Sequence, residues 1–448
     1  MPEPSTLRFS PKTRLLPEWI QYAAVWILCG LLAPAIASAG PEDQADENEG
    51  TRSKPGPGIQ VLDHTVHFGI RSTVQLDIIH DFNATGLEVT DPVAREFITA
   101  VIPVSGNPAA QNTNRTVFSP NQSDLILWAS SETRWGEAKA FVDFNMTKSA
   151  VETQFHVYKA WAKLGYLKFG LDYSLFMNQR AIPKTLDFEG PQVLPEPVYA
   201  QASLQIPIAR IGHGEKKNLF VGLGLEESKA QVTVEPVYKA TADDQVPALF
   251  GNITYNTDDA NLTLIGVYRR LRASGEAYDS SANGWGLYLS GNIQTWGRDS
   301  LMGGVLGGRG IAALVDDTFG LKLDAVSVSG PDNPLKAVGL IGFWGAYEHF
   351  WNPQLSSVAT FGFLKVYSDF IDRELGPQSA DGDYVGIYNE TVYASANLLW
   401  TPFSFFSVGA EYLYGYQRIA TGSSDFNSNK GHDHRLQITF RINFEYAR

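Results

Sequence analysis

The sequence predicts an all-β fold, a transmembrane antiparallel β-barrel of about sixteen strands with long extracellular loops and short periplasmic turns. Three observations predict this fold. Apolar and polar residues alternate along many segments, and long polar stretches alternate with tight turns. After residue 40, no apolar run reaches the roughly 18 residues that a membrane-spanning helix needs. A barrel needs apolar residues only at alternate positions, which fits a hydrophobic content of 44%.

The alternation is clearest in the last sixty residues. In the segment 435–444, every second residue is Leu, Ile or Phe, and the residues between them are Arg, Gln, Thr and Asn. The segments 391–400, 408–417 and 64–82 follow a similar pattern. Because side chains alternate across a strand with period two, each strand has one apolar and one polar face. Such faces suit a wall with lipid outside and water inside.

Long polar loops and tight turns separate the predicted strands. We place loops at 83–116, 147–153, 173–197, 227–245, 271–282, 309–335, 370–385 and 418–433. We place turns near residues 135, 165, 211–217, 258, 297, 352 and 401. Eight loops and seven turns join sixteen strands, an even count that is typical of outer-membrane barrels. A secreted sandwich or propeller also alternates, but the sequence has no repeat at blade spacing.

The chain divides into three predicted parts. Residues 1–39 read as a signal peptide, with basic residues such as Arg8, an apolar stretch and a small-residue cleavage site. Residues 40–63 are acidic, then rich in Pro and Gly, and we expect them to be disordered. Residues 64–448 form the barrel. The only cysteine, Cys29, lies in the predicted signal peptide, so no disulfide is expected.

Charge and motif content argue against several other classes of protein. The formal net charge of −13 argues against a nucleic-acid partner. His432-Asp433-His434 contains metal-ligand residue types, but neighbouring residues on a strand point to opposite faces. We therefore interpret this triplet as a histidine pair of a surface loop, and we predict no metal and no cofactor.

Several motifs resemble the DcaP-like porins of Gram-negative outer membranes. They are Phe176-Met177, Ile182 to Pro191, Gly284-Trp285-Gly286, Gly308-Arg309-Gly310, Gly345 to Asn352, Tyr393 to Trp400 and Gly409 to Gly415. They occur in the family's order over most of residues 66–446. The resemblance implies a sixteen-stranded porin, a water-filled channel for passive diffusion of small hydrophilic solutes, in some members dicarboxylates. It also implies a homotrimer in the outer membrane of a Gram-negative bacterium, in contact with membrane lipid and lipopolysaccharide.

The sequence departs from this family at its basic wall. Family members often carry arginines on the second and fourth strands, where this chain has Asp124, Trp128, His156 and Tyr158. An anion preference therefore does not follow from the resemblance. The transported solute and the ion preference stay open at this point.

The expected site is a constriction, because a porin performs no covalent chemistry. We expect loop 173–191 to fold inward, with Arg180, Lys184, Asp187 and Glu189 as its charged residues. We predict that the wall of the lumen presents Arg71, Asp77, Asp124, Lys139, Asp143, Lys159, Lys163, Arg435 and Arg441. Alternatively, individual members of this set are solvated residues or structural ion pairs.

Two further features leave alternatives open. Arg269, Arg270 and Arg272 form the densest basic cluster, which could bind lipopolysaccharide phosphates or form a solvated rim. A barrel could also serve as an adhesin or structural protein with a plugged lumen, or as a barrel-type hydrolase. No Ser/His/Asp constellation stands out, so we predict a channel without enzymatic activity.

Overall fold

The structure is a computed structural model that describes residues 59–61, 64–86, 96–148, 153–212, 218–330, 332–371, 386–420 and 428–447. The predicted signal peptide lies outside the described residues. Of the segment 40–63, which we expected to be disordered, residues Ile59–Val61 form a short strand that pairs with the start of the next one.

The described residues are mostly β-strands. The strands are β1 Ile59–Val61, β2 His64–Asp81, β3 Arg115–Ser119, β4 Asp124–Thr133, β5 Gly136–Lys148, β6 Thr153–Leu164, β7 Leu167–Tyr173, β8 Val198–Ala209, β9 Leu219–Glu226, β10 Val232–Thr233, β11 Thr241–Ala242, β12 Ala248–Asn256, β13 Ala260–Gly275, β14 Tyr278–Gln294, β15 Ser300–Arg309, β16 Ala325–Ser327, β17 Leu335–Ala337, β18 Gly339–Asn352, β19 Leu355–Val366, β20 Tyr388–Phe403, β21 Phe406–Ile419 and β22 Lys430–Ala447. Single-turn 3₁₀ helices lie at Thr99–Val101, Pro108–Gln111, Gln179–Ala181, Pro236–Tyr238, Ala312–Leu314 and Asp316–Thr318. None of the helices in the described ranges is long and apolar enough to cross a bilayer.

The long strands close into a sixteen-position antiparallel barrel, as predicted. Strand β2 pairs with β22, from Gly69 opposite Ala447 to Asp81 opposite Arg435, and this pairing closes the wall. On its other edge β2 pairs with both β3 and β4, which together occupy one position. The remaining positions are β5 to β9, β12 to β15 and β18 to β22. Short β10, β16 and β17 form a separate small sheet in the loops.

One predicted loop is much shorter in the structure. Strands β13 and β14 pair continuously up to Gly275 and Tyr278, so the loop expected at 271–282 is a two-residue connection. The strands extend this far because Leu271, Ala273 and Tyr278 pack in a small apolar cluster above the wall. The loop prediction was therefore wrong here. Polar residues of the segment suggested a loop, although the residues between them form an apolar strand face.

The two faces of the wall differ as the alternation predicts. On β2, Val74 and Leu76 are exposed on the outer face, whereas Gln75 and Asp77 are buried on the inner face. Aromatic residues mark the turn end of the barrel, where amphipathic rings suit the membrane interface. The exposed aromatics there are Trp135, Trp296, Trp351, Trp400, Phe403 and Phe405.

Gly69 allows close packing between β2 and β4. The indole of Trp128 lies against the Gly69 backbone, and a Cβ at residue 69 would lie 1.9 Å from a carbon of that ring. We expect Gly69→Ala to destabilise the barrel by about 1–3 kcal/mol, because the ring must leave a packed site. Gly251→Ala is the matched control, since its nearest neighbour would lie 3.8 Å away. The unfolding temperature, read from heat-modifiable electrophoretic mobility, should fall only for the Gly69 variant.

Candidate functional site

Loop 174–197, between β7 and β8, lies inside the barrel. Asn178 Nδ2 donates to Asn261 Oδ1 on β13 at 2.8 Å. Lys184 Nζ lies 2.7 Å from Glu348 Oε1 on β18, and Gln437 Nε2 on β22 donates to the carbonyl of Leu186 at 2.7 Å. Because β13, β18 and β22 lie at separate positions around the barrel, the loop that contacts all three crosses the lumen. This is the position that we predicted for the constriction loop, and its role as the constriction stays a prediction.

Glu411 on β21 holds the middle of this loop. Its Oε2 accepts hydrogen bonds from the backbone N–H groups of Leu186 and Asp187, the second at 3.1 Å. Its Oε1 accepts from Ser395 Oγ at 2.7 Å. Two backbone donors and one hydroxyl therefore meet on a single buried carboxyl group, which holds the middle of the loop against β21.

Removing this anchor should loosen the constriction. Glu411→Ala leaves two buried N–H groups without their acceptor, at a cost of about 1–3 kcal/mol each. We therefore expect a larger and noisier single-channel conductance in planar bilayers. Glu411→Gln keeps an acceptor oxygen and should change the conductance less. An unchanged conductance in the alanine variant would contradict the anchoring role.

The structure places two of the predicted loop charges away from water. Asp187 is 3% exposed. It accepts hydrogen bonds from the backbone N–H groups of Phe97 and Gly190 and from the Tyr393 hydroxyl, at 3.1, 3.1 and 3.3 Å. Burial raises the pKa of Asp187 to about 6. The carboxyl therefore joins loop 174–197 to the segment 96–114 and to the wall.

Glu189 belongs to a buried acidic cluster where three loops meet. Burial and the nearby charges of Asp316 and Asp317 raise the pKa of Glu189 well above its ordinary value. Burial and the surrounding acids likewise raise the pKa of Asp316 well above its ordinary value. Asp317 accepts hydrogen bonds from Thr99 Oγ1 and the Ala100 N–H, each at 2.8 Å. These acids lie where loop 174–197 meets the segments 96–114 and 310–330.

Two inward ion pairs, Arg435–Asp81 and Arg269–Asp324, are buried, and four other pairs on the inner wall and the constriction loop reach water. These four are Arg71–Asp124 at 3.8 Å, Lys159–Asp143 at 3.4 Å, Lys168–Asp172 at 2.8 Å and Lys184–Glu348 at 2.7 Å. In each pair the basic side chain is the more exposed partner: 28% against 20%, 16% against 6%, 24% against 4%, and 55% against 7%. In these four pairs the lumen therefore presents the cation to water, with the carboxylate behind it.

Aromatic rings support several of these lysines. Lys159 Nζ lies 4.6 Å from the centre of the Tyr173 ring, and Lys168 Nζ lies 4.1 Å from that of Trp161. The buried Lys139 also contacts this ring, with its Nζ 5.6 Å from the ring centre of Trp161. Ammonium groups over aromatic faces gain about 0.5–2 kcal/mol, which restricts their motion. Sequence reasoning missed Lys168, although it shares the inner face of β7 with Asp172.

The remaining predicted wall residues have structural contacts. Asp77 is buried and accepts from Thr439 Oγ1 at 2.5 Å. Arg435 is 1% exposed and donates to Asp81 at 2.6 Å. Its guanidinium carbon lies 4.9 Å from the centre of the Phe97 ring. Arg441 is half-buried and donates to Gln75 Oε1 at 2.6 Å. Lys163 stands between Lys139 and Lys168 in the strand register.

Two predicted clusters separate in the structure. Arg269 is fully buried and pairs with Asp324 at 2.9 Å, whereas Arg270 and Arg272 remain on the outer face near the loop end. Contact of those two with lipopolysaccharide stays a prediction. His432 and His434 lie on the outer face of β22 and Asp433 on the inner face. Across the described ranges, no group of three or more His, Cys, Asp or Glu residues could hold a metal ion.

Comparison with known proteins gives a consistent result. The family model described as the porin subfamily matches residues 103–425. The outer membrane channel DcaP of Acinetobacter baumannii is similar in fold, with a TM-score of 0.67 and 12% identity over 87% of this chain and 100% of that one. OmpT of Vibrio cholerae has a TM-score of 0.49 and 10% identity, over 87% of this chain and 100% of that one. The comparison with curated proteins found no match.

Fold and family agree on the class of protein. The family model covers well over half of the chain, and the structural likeness shows the same barrel fold. The chain is a water-filled channel for passive diffusion of small hydrophilic solutes across a Gram-negative outer membrane, and it belongs to the porin subfamily.

Proposed function

We propose that this porin prefers small anionic solutes, such as small organic acids. The observation that carries the proposal is the unequal exposure within the four lumen ion pairs that reach water, where each cation is more exposed than its carboxylate. A permeating ion approaches Lys184 and Lys168 more closely than the acids behind them. Because a narrow lumen weakens solvent screening, the nearest charges dominate the energy of the ion.

The departures from the family's arginine pattern do not contradict this proposal. Trp128 replaces one basic position, but its ring packs on Gly69 and it adds no charge. Asp124 replaces another, and it lies beside Arg71 at 3.8 Å. Lys159 and Lys168 supply positive charge on β6 and β7 instead.

A reversal potential tests the preference directly. Purified protein in a planar bilayer under a potassium chloride gradient should give the sign expected for chloride as the more permeant ion. The magnitude should shrink at high ionic strength, because screening shortens the reach of exposed charges. A cation-selective potential at low salt would overturn the proposal.

We also propose a homotrimer without enzymatic activity, which membership of the porin subfamily supports. Detergent-extracted protein should have the mass of three chains by native mass spectrometry, and bilayer insertion should give conductance steps in threes. A folded, conducting monomer would contradict the oligomeric state. If the folded protein does not conduct ions but hydrolyses a lipid or a peptide, the enzyme alternative would be favoured.

A further inference from the structure

A polar pocket lies on the turn side of the constriction loop. It has a volume of about 310 Å³, near the lower end of the roughly 300–1,000 Å³ typical of small-molecule sites. Lumen-facing residues at the turn ends of β12, β13, β14 and β15 form its wall, and Arg180 of the loop lies over it. A solute that has passed the constriction would meet this pocket before reaching the periplasm.

An amide network positions Arg180 in the pocket. Its NH1 donates to Asn256 Oδ1 at 2.9 Å, and its carbonyl accepts from Asn292 Nδ2 at 2.6 Å. Asn178 of the loop is joined to Asn261 at 2.8 Å. Side chains from three strands therefore fix the loop over the wall, so the pocket is largely pre-formed.

The pocket carries balanced charge. Its four charged lining residues are Arg180, Arg298, Asp258 and Asp259. The guanidinium of Arg298 lies 4.2 Å from the centre of the Phe350 ring, which limits its motion. The two aspartates come from the turn between β12 and β13 and are exposed. Asn256, Asn261, Asn292, Gln294 and Ser300 supply uncharged donors and acceptors between them.

We infer that this pocket is a binding site for a small zwitterion with a polar side chain, of the size of a free amino acid. A carboxylate would face the two arginines, which match its geometry. An ammonium group would face the two aspartates. A plain anion would meet the repulsion of the aspartates, and a plain cation that of the arginines. The inference does not depend on the ion preference proposed above.

The experiment uses L-glutamine with two matched probes. N-acetyl-L-glutamine lacks the ammonium group, and L-glutaminamide lacks the carboxylate. Titration calorimetry of the purified protein should show millimolar binding of glutamine and binding at least about tenfold weaker for each probe, which corresponds to about 1.4 kcal/mol. Arg180→Gln/Arg298→Gln and Asp258→Asn/Asp259→Asn should each weaken glutamine binding by about tenfold.

Controls separate binding from folding. Asp332→Asn removes an exposed acid elsewhere on the protein and should leave glutamine binding unchanged. Each variant should keep wild-type heat-modifiable mobility. Equal binding of N-acetyl-L-glutamine, or no effect of the aspartate variant, would overturn the zwitterion assignment in favour of an anion site. No binding of glutamine at millimolar concentration would overturn the site altogether.

Discussion

Replacing Lys168 and Lys184 by glutamate should turn the anion preference that we propose for this channel into a cation preference. Unit charges 4 Å apart interact by about 1 kcal/mol in water, so reversing one charge changes the energy of a passing ion by about twice that. The permeability ratio of chloride to potassium should therefore fall by at least about tenfold. The reversal potential at low salt measures this change.

A charge-swapped pair tests whether exposure is the cause. Lys184→Glu/Glu348→Lys keeps the ion pair and the net charge, but places the carboxylate at the exposed position. If exposed charge controls the preference, the swap should shift the reversal potential in the same direction as Lys184→Glu alone. If net lumen charge controls it, the swap should leave the potential unchanged, and the explanation offered here would be wrong.

Raising the pH should release the constriction loop. Burial raises the pKa of Asp187 to about 6, and burial with neighbouring acids raises the pKa of Glu189 and Asp316 well above their ordinary values. Groups with raised pKa stabilise the packed loops while they are protonated. That stabilisation is complete at low pH and is lost as the pH rises through about 6 and above, at about 1.4 kcal/mol per unit of pKa shift.

Single-channel recordings between pH 5 and pH 9 can measure this release. We expect the wild type to show more frequent conductance fluctuations at the alkaline end, because ionised Glu189, Asp316 and Asp317 repel one another. Glu189→Gln removes one charge and should flatten the pH dependence. Asp279→Asn, at an exposed acid on the outer hairpin, is the matched control. Identical pH profiles for all three proteins would contradict a role for the buried acids.

The predicted barrel follows from local patterns. Strict alternation in 435–444 predicts which side chains of β22 face inward, and Arg435, Gln437 and Thr439 do lie on that face. The bulge in β6 was not predictable in this way. Asp143 pairs with Lys159 and Phe144 with Val157, so Tyr158 is an extra residue that the two-residue period does not anticipate.

The charges of the constriction loop were predicted as a group, but their environments were not. Asp187 and Glu189 stand close in sequence to Lys184, yet Lys184 is exposed and both acids are buried. The difference arises from the hydrogen bond of Phe97 to Asp187 and from the acids Asp316 and Asp317 near Glu189, all of which lie far away in the chain. No local pattern contains those contacts, so sequence reasoning listed all of these charges as candidates for the pore.

The sequence by itself determined the membrane barrel, its sixteen strands and the inward side of regularly alternating strands such as β22, because strand periodicity is a local property of the backbone. Only the tertiary structure decided which inward charges meet water. The segments 96–114 and 310–330 and loop 174–197 fold into the barrel and cover Arg435, Asp187 and Glu189, while leaving Lys184 and Lys168 more exposed. That choice depends on long-range packing, since burial is a property of the assembled loops.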